Sequence, residues 1–292
     1  MRRRFKTSVV VAIGAAGLIA GLAAAIPAAG QAPSTYRGPR SPYQDGHPDL
    51  SGVWQALNTA YWDLEDHVMA SGSGPSGGAI DAVLPGRSVV EGGIIPYQPW
   101  ALEQRKKNYE IRRAVDPFHR DLGDPEIKCY MAGVPRSTYL NQPFEIIQSP
   151  RYVVMAYQYA ASNRRIRMGP ITEPHVESWM GWPSGSWEGE TLVVHTAGFF
   201  TEMGEGTRWI WLDRAGNFAS GQMTVDERFT LTGPDHLAYE ATITDPKVFT
   251  RPLKIQMPLY RLKDKNAGLL DFRCVELTEE LIYGSLVKKP GS

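Results

Sequence analysis

Two cysteines in 292 residues are too few for a disulfide-stapled scaffold, and they form no CxxC pair. Nucleophile elbow, phosphate loop and dinucleotide fingerprint are all missing, which removes the motif-based routes to a serine hydrolase, an NTPase or a dehydrogenase. Excess charge of either sign is missing too. Lys plus Arg and Asp plus Glu balance at 31 each, so no basic field invites nucleic acid or an anionic membrane surface, and nucleic acid is not an expected partner. Beyond Ala25 no apolar run is long enough to span a bilayer. No repeat of fixed period appears, which argues against a propeller.

What is present begins at the N-terminus. Met1 to Lys6 is basic, Val9 to Ala25 is uncharged, and Pro27-Ala28-Ala29-Gly30 supplies small residues before Gln31. Basic, apolar, small is the order of an export signal over 1–30, so the expected location is periplasmic or secreted, with no membrane span after signal removal. An uncleaved anchor is the alternative. Arg2-Arg3-Arg4-Phe5-Lys6 also looks like a twin-arginine signal, so both the secretory and the twin-arginine routes stay open. Cys129 and Cys274 both follow the leader, and an oxidising compartment makes a disulfide between them the expectation, with two buried thiols as the alternative.

Residues 31–47 read as a polar, Pro- and Gly-containing linker, and 48–286 as a single β-rich domain. Pro48 to Gln55 reads as a first strand, Ser71 to Gly78 as a loop, and Pro99 to Val115 as the one helix. From Phe144 onward strands follow one another. Ser178 to Trp187 and Glu190 to Phe199 flank a Glu188-Gly189 turn, and Thr224 to Thr232 and Leu237 to Thr244 flank Gly233 to His236. Strands of about eight to ten, mostly hairpin-linked, predict an antiparallel lipocalin-like barrel or a β-sandwich.

Two segments carry acids and a histidine at alternate positions: Asp63, Glu65 and His67, and then Glu173, His175 and Glu177. On extended chain each set shares one face, which suits proton transfer or a divalent metal held by Asp63, Glu65, His67, Glu173 and His175. The cofactor is otherwise unknown. Glu227 sits in the apolar stripe of Val225, Phe229 and Leu231, where a carboxylate is costly unless paired; Arg165 and Arg167 are its expected partners. Eight Trp and thirteen Tyr are many for this length. Trp54, Trp62, Trp179, Trp182 and Tyr157 are the candidates to line a pocket for an apolar or aromatic ligand.

Several blocks together resemble a largely uncharacterised family of exported bacterial proteins. They are Gly46 to Trp54, Gly92 to Trp100, Lys128 to Arg136, Trp179 to Val194 with its Trp-Glu-Gly-Glu-Thr-Leu-Val-Val core, Glu227 to Phe229 and Thr242 to Pro246. The resemblance implies export and a β-rich fold and attaches no activity. Gly52-Val53-Trp54 resembles the Gly-x-Trp that opens lipocalin barrels. A structural envelope protein or partner-binding module is one open function, and two others use a cavity. One is a periplasmic barrel binding a small apolar or aromatic molecule. The other is a lyase, isomerase or hydrolase in the same cavity, with His67 or His175 as base, Glu65, Glu177 or Glu227 as acid or orienting group, and Arg165 on a developing oxyanion.

Overall fold

A computed structural model describes residues 36–70, 82–113, 123–200, 202–203, 206–207, 209–264 and 266–272. The expected leader, the Ser71 to Gly78 loop and Cys274, and with it the expected bridge to Cys129, lie outside the described residues.

The elements in chain order are β1 (Gly52–Ala56), α1 (Pro99–Ile111), α2 (Arg136–Tyr139), β2 (Phe144–Gln148), β3 (Tyr152–Tyr157), β4 (Asn163–Met168), β5 (Trp182–Glu188) and β6 (Thr191–Ala197). Four two-residue strands follow: β7 (Glu202–Met203), β8 (Gly206–Thr207), β9 (Ile210–Trp211) and β10 (Phe218–Ala219). The long strands β11 (Thr224–Gly233), β12 (His236–Thr244) and β13 (Leu253–Arg261) complete the chain's sheet. Nine of these strands close into a barrel in the order β1-β13-β12-β11-β6-β5-β4-β3-β2. Closure decides between the two expected architectures: this is a barrel, not a sandwich.

Strand alternation builds it. On β11 Val225, Glu227, Phe229 and Leu231 are buried between Asp226, Arg228 and Thr230, and on β12 Leu237, Tyr239, Ala241 and Ile243 are buried in register with them. The inward side chains of the barrel strands join one core that includes Trp54, Phe144, Met155, Ile166, Val194, Phe229, Tyr239 and Ile255, and Trp187 of β5 packs against it. At about 25 cal/mol per Å² of apolar area, this interior is the main source of stability. Trp54 lies wholly inside, donating Nε1–H to Leu50 O, with the Arg261 guanidinium 4.2 Å from its ring centroid.

Nine strands cannot alternate direction all the way round a closed ring, so one neighbouring pair must be parallel. That pair is β4 and β5; every other pair in the barrel is antiparallel. A parallel pair needs a connection that travels back along the barrel, and residues 169–181 do this. The two ends of the barrel therefore differ. Short turns close one end, at Ser149 to Arg151, Gly189 and Pro234-Asp235. From the other end leave the long excursions 57–143 and 198–223, whose described residues are called the cap below. The segment ahead of β1 is tied to the barrel wall as well: His47 stacks on Trp187 with centroids 4.8 Å apart, and Arg40 pairs with Glu190 at 2.9 Å.

The expected helix appears as α1. Ala101 and Asn108 are its buried residues, while Trp100, Leu102, Tyr109 and Ile111 are exposed. Among the described residues no helix is long and apolar enough to cross a membrane.

Candidate functional site

β4 and β5 pair only at Arg167 with Ser184 and Met168 with Gly185. Toward the capped end the two strands part, and the 169–181 connection lies along the gap. The opening is a cleft of about 590 Å³. Met131, Val176, Met180 and Trp182 give it apolar walls, and Arg164, Arg165 and Arg167 also line it. Gly181, at φ +64°, starts β5 where a Cβ would come within 2.5 Å of Thr196 Cγ2 and 2.9 Å of Ala197 O, so the chain can approach β6 this closely only without a side chain.

The three arginines are held differently. Arg165 is exposed, with its guanidinium 3.8 Å from the Tyr152 ring centroid. Arg167 donates from Nη2 to Pro170 O at 2.9 Å and to Thr172 Oγ1 at 3.2 Å. Thr172 Oγ1 also accepts from Trp182 Nε1 at 3.0 Å, so one hydroxyl fixes both walls. Arg164 points into the barrel. Its Nη2 donates to Glu227 Oε2 and, at 2.5 Å, to Thr196 Oγ1, while Glu227 Oε1 accepts from Tyr239 OH at 2.9 Å. Arg164 and Glu227 are both fully buried, 0% exposed at the side chain. Burial acts to lower the Arg164 pKa, but Glu227 outweighs it and holds the guanidinium charged. Burial and the Glu227 charge together push the Tyr239 hydroxyl well up. Among the described residues Arg164 Nε and Nη1 make no hydrogen bond, with the Tyr157 hydroxyl beside the guanidinium.

This corrects the expected pairing of Glu227 with Arg165 or Arg167. Ile166 is the apolar residue of Arg164-Arg165-Ile166-Arg167, and it is buried. Residues two apart share a face, so Arg164 goes inward with Ile166, and its neighbours go out.

Two further buried polar networks sit in the cap. Arg136 donates to Asp124 Oδ1 at 2.6 Å and Oδ2 at 2.7 Å and to Glu126 Oε2 at 2.5 Å; Arg214 binds Glu126 from the other side at 2.9 and 2.5 Å. Burial works to raise the Glu126 pKa, but Arg136 and Arg214 outweigh it and hold the carboxyl below its usual range. In the second network Asn217 Nδ2 bridges two carboxylates, reaching Asp63 Oδ1 at 3.0 Å and Asp213 Oδ2 at 2.6 Å. Asp213 also accepts from the backbone N–H of Leu64, Ala215 and Asn217. Burial, then the nearby Asp63 charge, push the Asp213 pKa up to about 7 against these donors. Tyr139, fully buried, donates to Leu212 O at 2.8 Å beside this network.

The two acid–histidine sets do not converge. A turn at 60–62, with Trp62 and Asp63 N–H both bonded to Thr59 O, leads into bends at Leu64 and Glu65, so the expected shared strand face does not form. Asp63 turns inward to Asn217 and Arg105, Glu65 Oε1 accepts from Ile95 N, and His67 contacts Thr59 Oγ1 and Val68 O. Glu173, His175 and Glu177 lie on the connection, all exposed, with a bend at His175 and Val176. The His175 ring sits edge-on to Trp182 at 5.0 Å, beside the seam cleft, whereas His67 lines a separate surface hollow with Asp66, Pro85 and Arg87. Among the described residues no group of three or more His, Cys, Asp or Glu is placed to hold a metal ion, so these five do not form one ligand set.

No family model matches this chain, and no curated protein matches it.

Of the aromatic residues expected at a ligand, Trp182 lines the cleft. Trp54 and Tyr157 are buried in the barrel, Trp62 is buried in the cap, and Trp179 packs edge-on to Phe200 at 5.9 Å. Arg164, Met131 and Met180 were not expected at a site. For Arg164 the signal was present, in its two-residue spacing from Ile166. For Met131 and Met180, no local pattern marks residues that meet only through the cap and the connection.

Proposed function

We propose that this protein is an exported barrel that binds a small apolar or aromatic molecule in the cleft between β4 and β5. The observation that carries it is the cleft itself: an opening of about 590 Å³ walled by Trp182, Met131, Met180 and Val176. Small-molecule sites typically span roughly 300–1,000 Å³ with apolar and aromatic walls and a few placed polar groups. Methionines suit such a wall because their unbranched thioethers adapt to the ligand's outline. The ligand sits at the wall rather than on the barrel axis, because the axis is taken by core side chains. An acid–base enzyme using His67 and His175 together has no support, since the two contact different parts of the surface.

The test is a fluorescence titration with N-phenyl-1-naphthylamine, a neutral aromatic probe. Saturable binding of one probe per chain, lost in Trp182→Ala, is expected. Binding that survives Trp182→Ala unchanged, or no saturable binding, refutes the assignment. Export rests on the basic, apolar and small N-terminal pattern. N-terminal sequencing of the protein from a periplasmic fraction should start near Gln31; retention of the whole chain in the cytoplasm refutes it.

A further inference from the structure

Arg164 is better equipped than its structural role requires. A guanidinium carries five N–H donors. Nη2 serves Glu227 and Thr196, and that suffices to hold the pair inside the barrel. Nε and Nη1 are buried and, among the described residues, unmatched. Buried donors without acceptors are rare in folded proteins and cost free energy, so an unmatched set on a charged group that also lines a cleft calls for an incoming acceptor. The charge around the opening says which kind. Arg164, Arg165 and Arg167 all line the cleft, and among the described residues no Asp or Glu does. Glu227 neutralises Arg164, while Arg165 and Arg167 form no ion pair among the described residues, so the cleft keeps uncompensated positive charge.

We propose that the molecule bound at this seam carries an anionic oxygen group, a carboxylate or its equivalent, which takes the unmatched donors of Arg164 while Arg165 and Arg167 supply the surrounding field and its body packs on Trp182 and the two methionines. This rests on the seam cleft being the binding site and names the chemical class that site selects. Charge-assisted hydrogen bonds are stronger than neutral ones, and a planar guanidinium matches carboxylate geometry. An apolar body with an acidic head meets both halves of the lining at once.

The experiment displaces N-phenyl-1-naphthylamine from the full-length protein with 2-naphthoate and, separately, with 2-naphthamide, which has the same size and lacks the charge. Naphthoate should compete at about tenfold lower concentration than the amide. In the Arg165→Gln/Arg167→Gln variant that preference, read as the ratio of the two competitors so that any change in the shared wall cancels, should fall to about threefold or less. Because Arg164 also holds Glu227, its contribution is read in Arg164→Met/Glu227→Leu, where the preference should fall to about threefold while circular dichroism still reports the barrel; a preference unchanged there refutes the role of Arg164. Equal or better competition by the amide overturns the proposal, as does failure of both competitors to displace a bound probe. Loss of probe binding altogether, or probe binding that ignores Trp182→Ala, instead refutes the seam cleft as the site.

Discussion

The Arg164–Glu227 pair gives the sharpest stability test. Both side chains are fully buried, and each has one neutral helper, Thr196 for the arginine and Tyr239 for the glutamate. Arg164→Met leaves the Glu227 carboxylate in the core with only the Tyr239 hydroxyl. Glu227→Leu leaves the guanidinium with only Thr196. Stranding one member of a buried pair costs about 3–5 kcal/mol, a large share of the roughly 5–15 kcal/mol total of a folded domain. Arg164→Met/Glu227→Leu strands no charge. It leaves the Tyr239 and Thr196 hydroxyls short of partners, at about 1–3 kcal/mol each, and regains some apolar packing. The double variant should therefore cost much less than the sum of the singles, with a coupling of about 3 kcal/mol or more. Urea unfolding followed by tryptophan fluorescence measures all four proteins. Because no solvent reaches the pair, the coupling should persist in 1 M salt, where the Debye length is only about 3 Å. Single variants that cost under about 1 kcal/mol, or energies that add within about 0.5 kcal/mol, would refute the view that this is a tightly coupled buried pair.

Two other outcomes follow from local geometry. Gly181→Ala places a Cβ 2.5 Å from Thr196 Cγ2 at φ +64°, so it should destabilise by about 2–4 kcal/mol and weaken N-phenyl-1-naphthylamine binding; a variant as stable as the parent in thermal unfolding would show that the close approach of β5 to β6 is not needed. Asp213, with its pKa pushed up to about 7 from 3.8, holds its proton more tightly folded than unfolded, so its stabilising contribution is complete below about pH 4 and is lost as pH rises through 7. The loss is at most about 4 kcal/mol, and Asp213→Asn should remove it. Urea midpoints at pH 5 and pH 8 that change equally in parent and variant would count against it.

The barrel could be read from the chain because alternation is local. Leu237, Tyr239, Ala241 and Ile243 announce their own face, and Glu227 announces its burial by sharing the face of Val225, Phe229 and Leu231. The cap could not be read, because its polar residues are satisfied across long separations. Asp63 meets Asn217, Asp124 meets Arg136, and Glu126 meets Arg214, and no periodicity links any of these pairs. The alternate spacing of Asp63, Glu65 and His67 misled for a physical reason: period two has meaning only on extended chain, and the turn and bends that follow Thr59 remove the shared face. Glu173, His175 and Glu177 lie beside the cleft through position rather than pattern, since the connection that carries them flanks it.

That seam follows from counting. A closed ring of nine strands must contain a parallel neighbour pair, and here it is the most sparsely joined contact in the barrel, two residues on each side. Sparse pairing lets β4 and β5 splay toward the capped end without breaking a long ladder. The parallel pair also obliges residues 169–181 to return along the outside, and this brings Val176, Met180 and Trp182 over the opening. An inward arginine at the splayed end of β4 is then within the barrel wall yet beside the gap. An even-stranded meander of the same sequence character could close without such a gap, and Arg164 would be only a structural ion. The cleft proposed to bind the ligand thus follows from strand parity, with Ile166 setting which of the neighbouring arginines faces in.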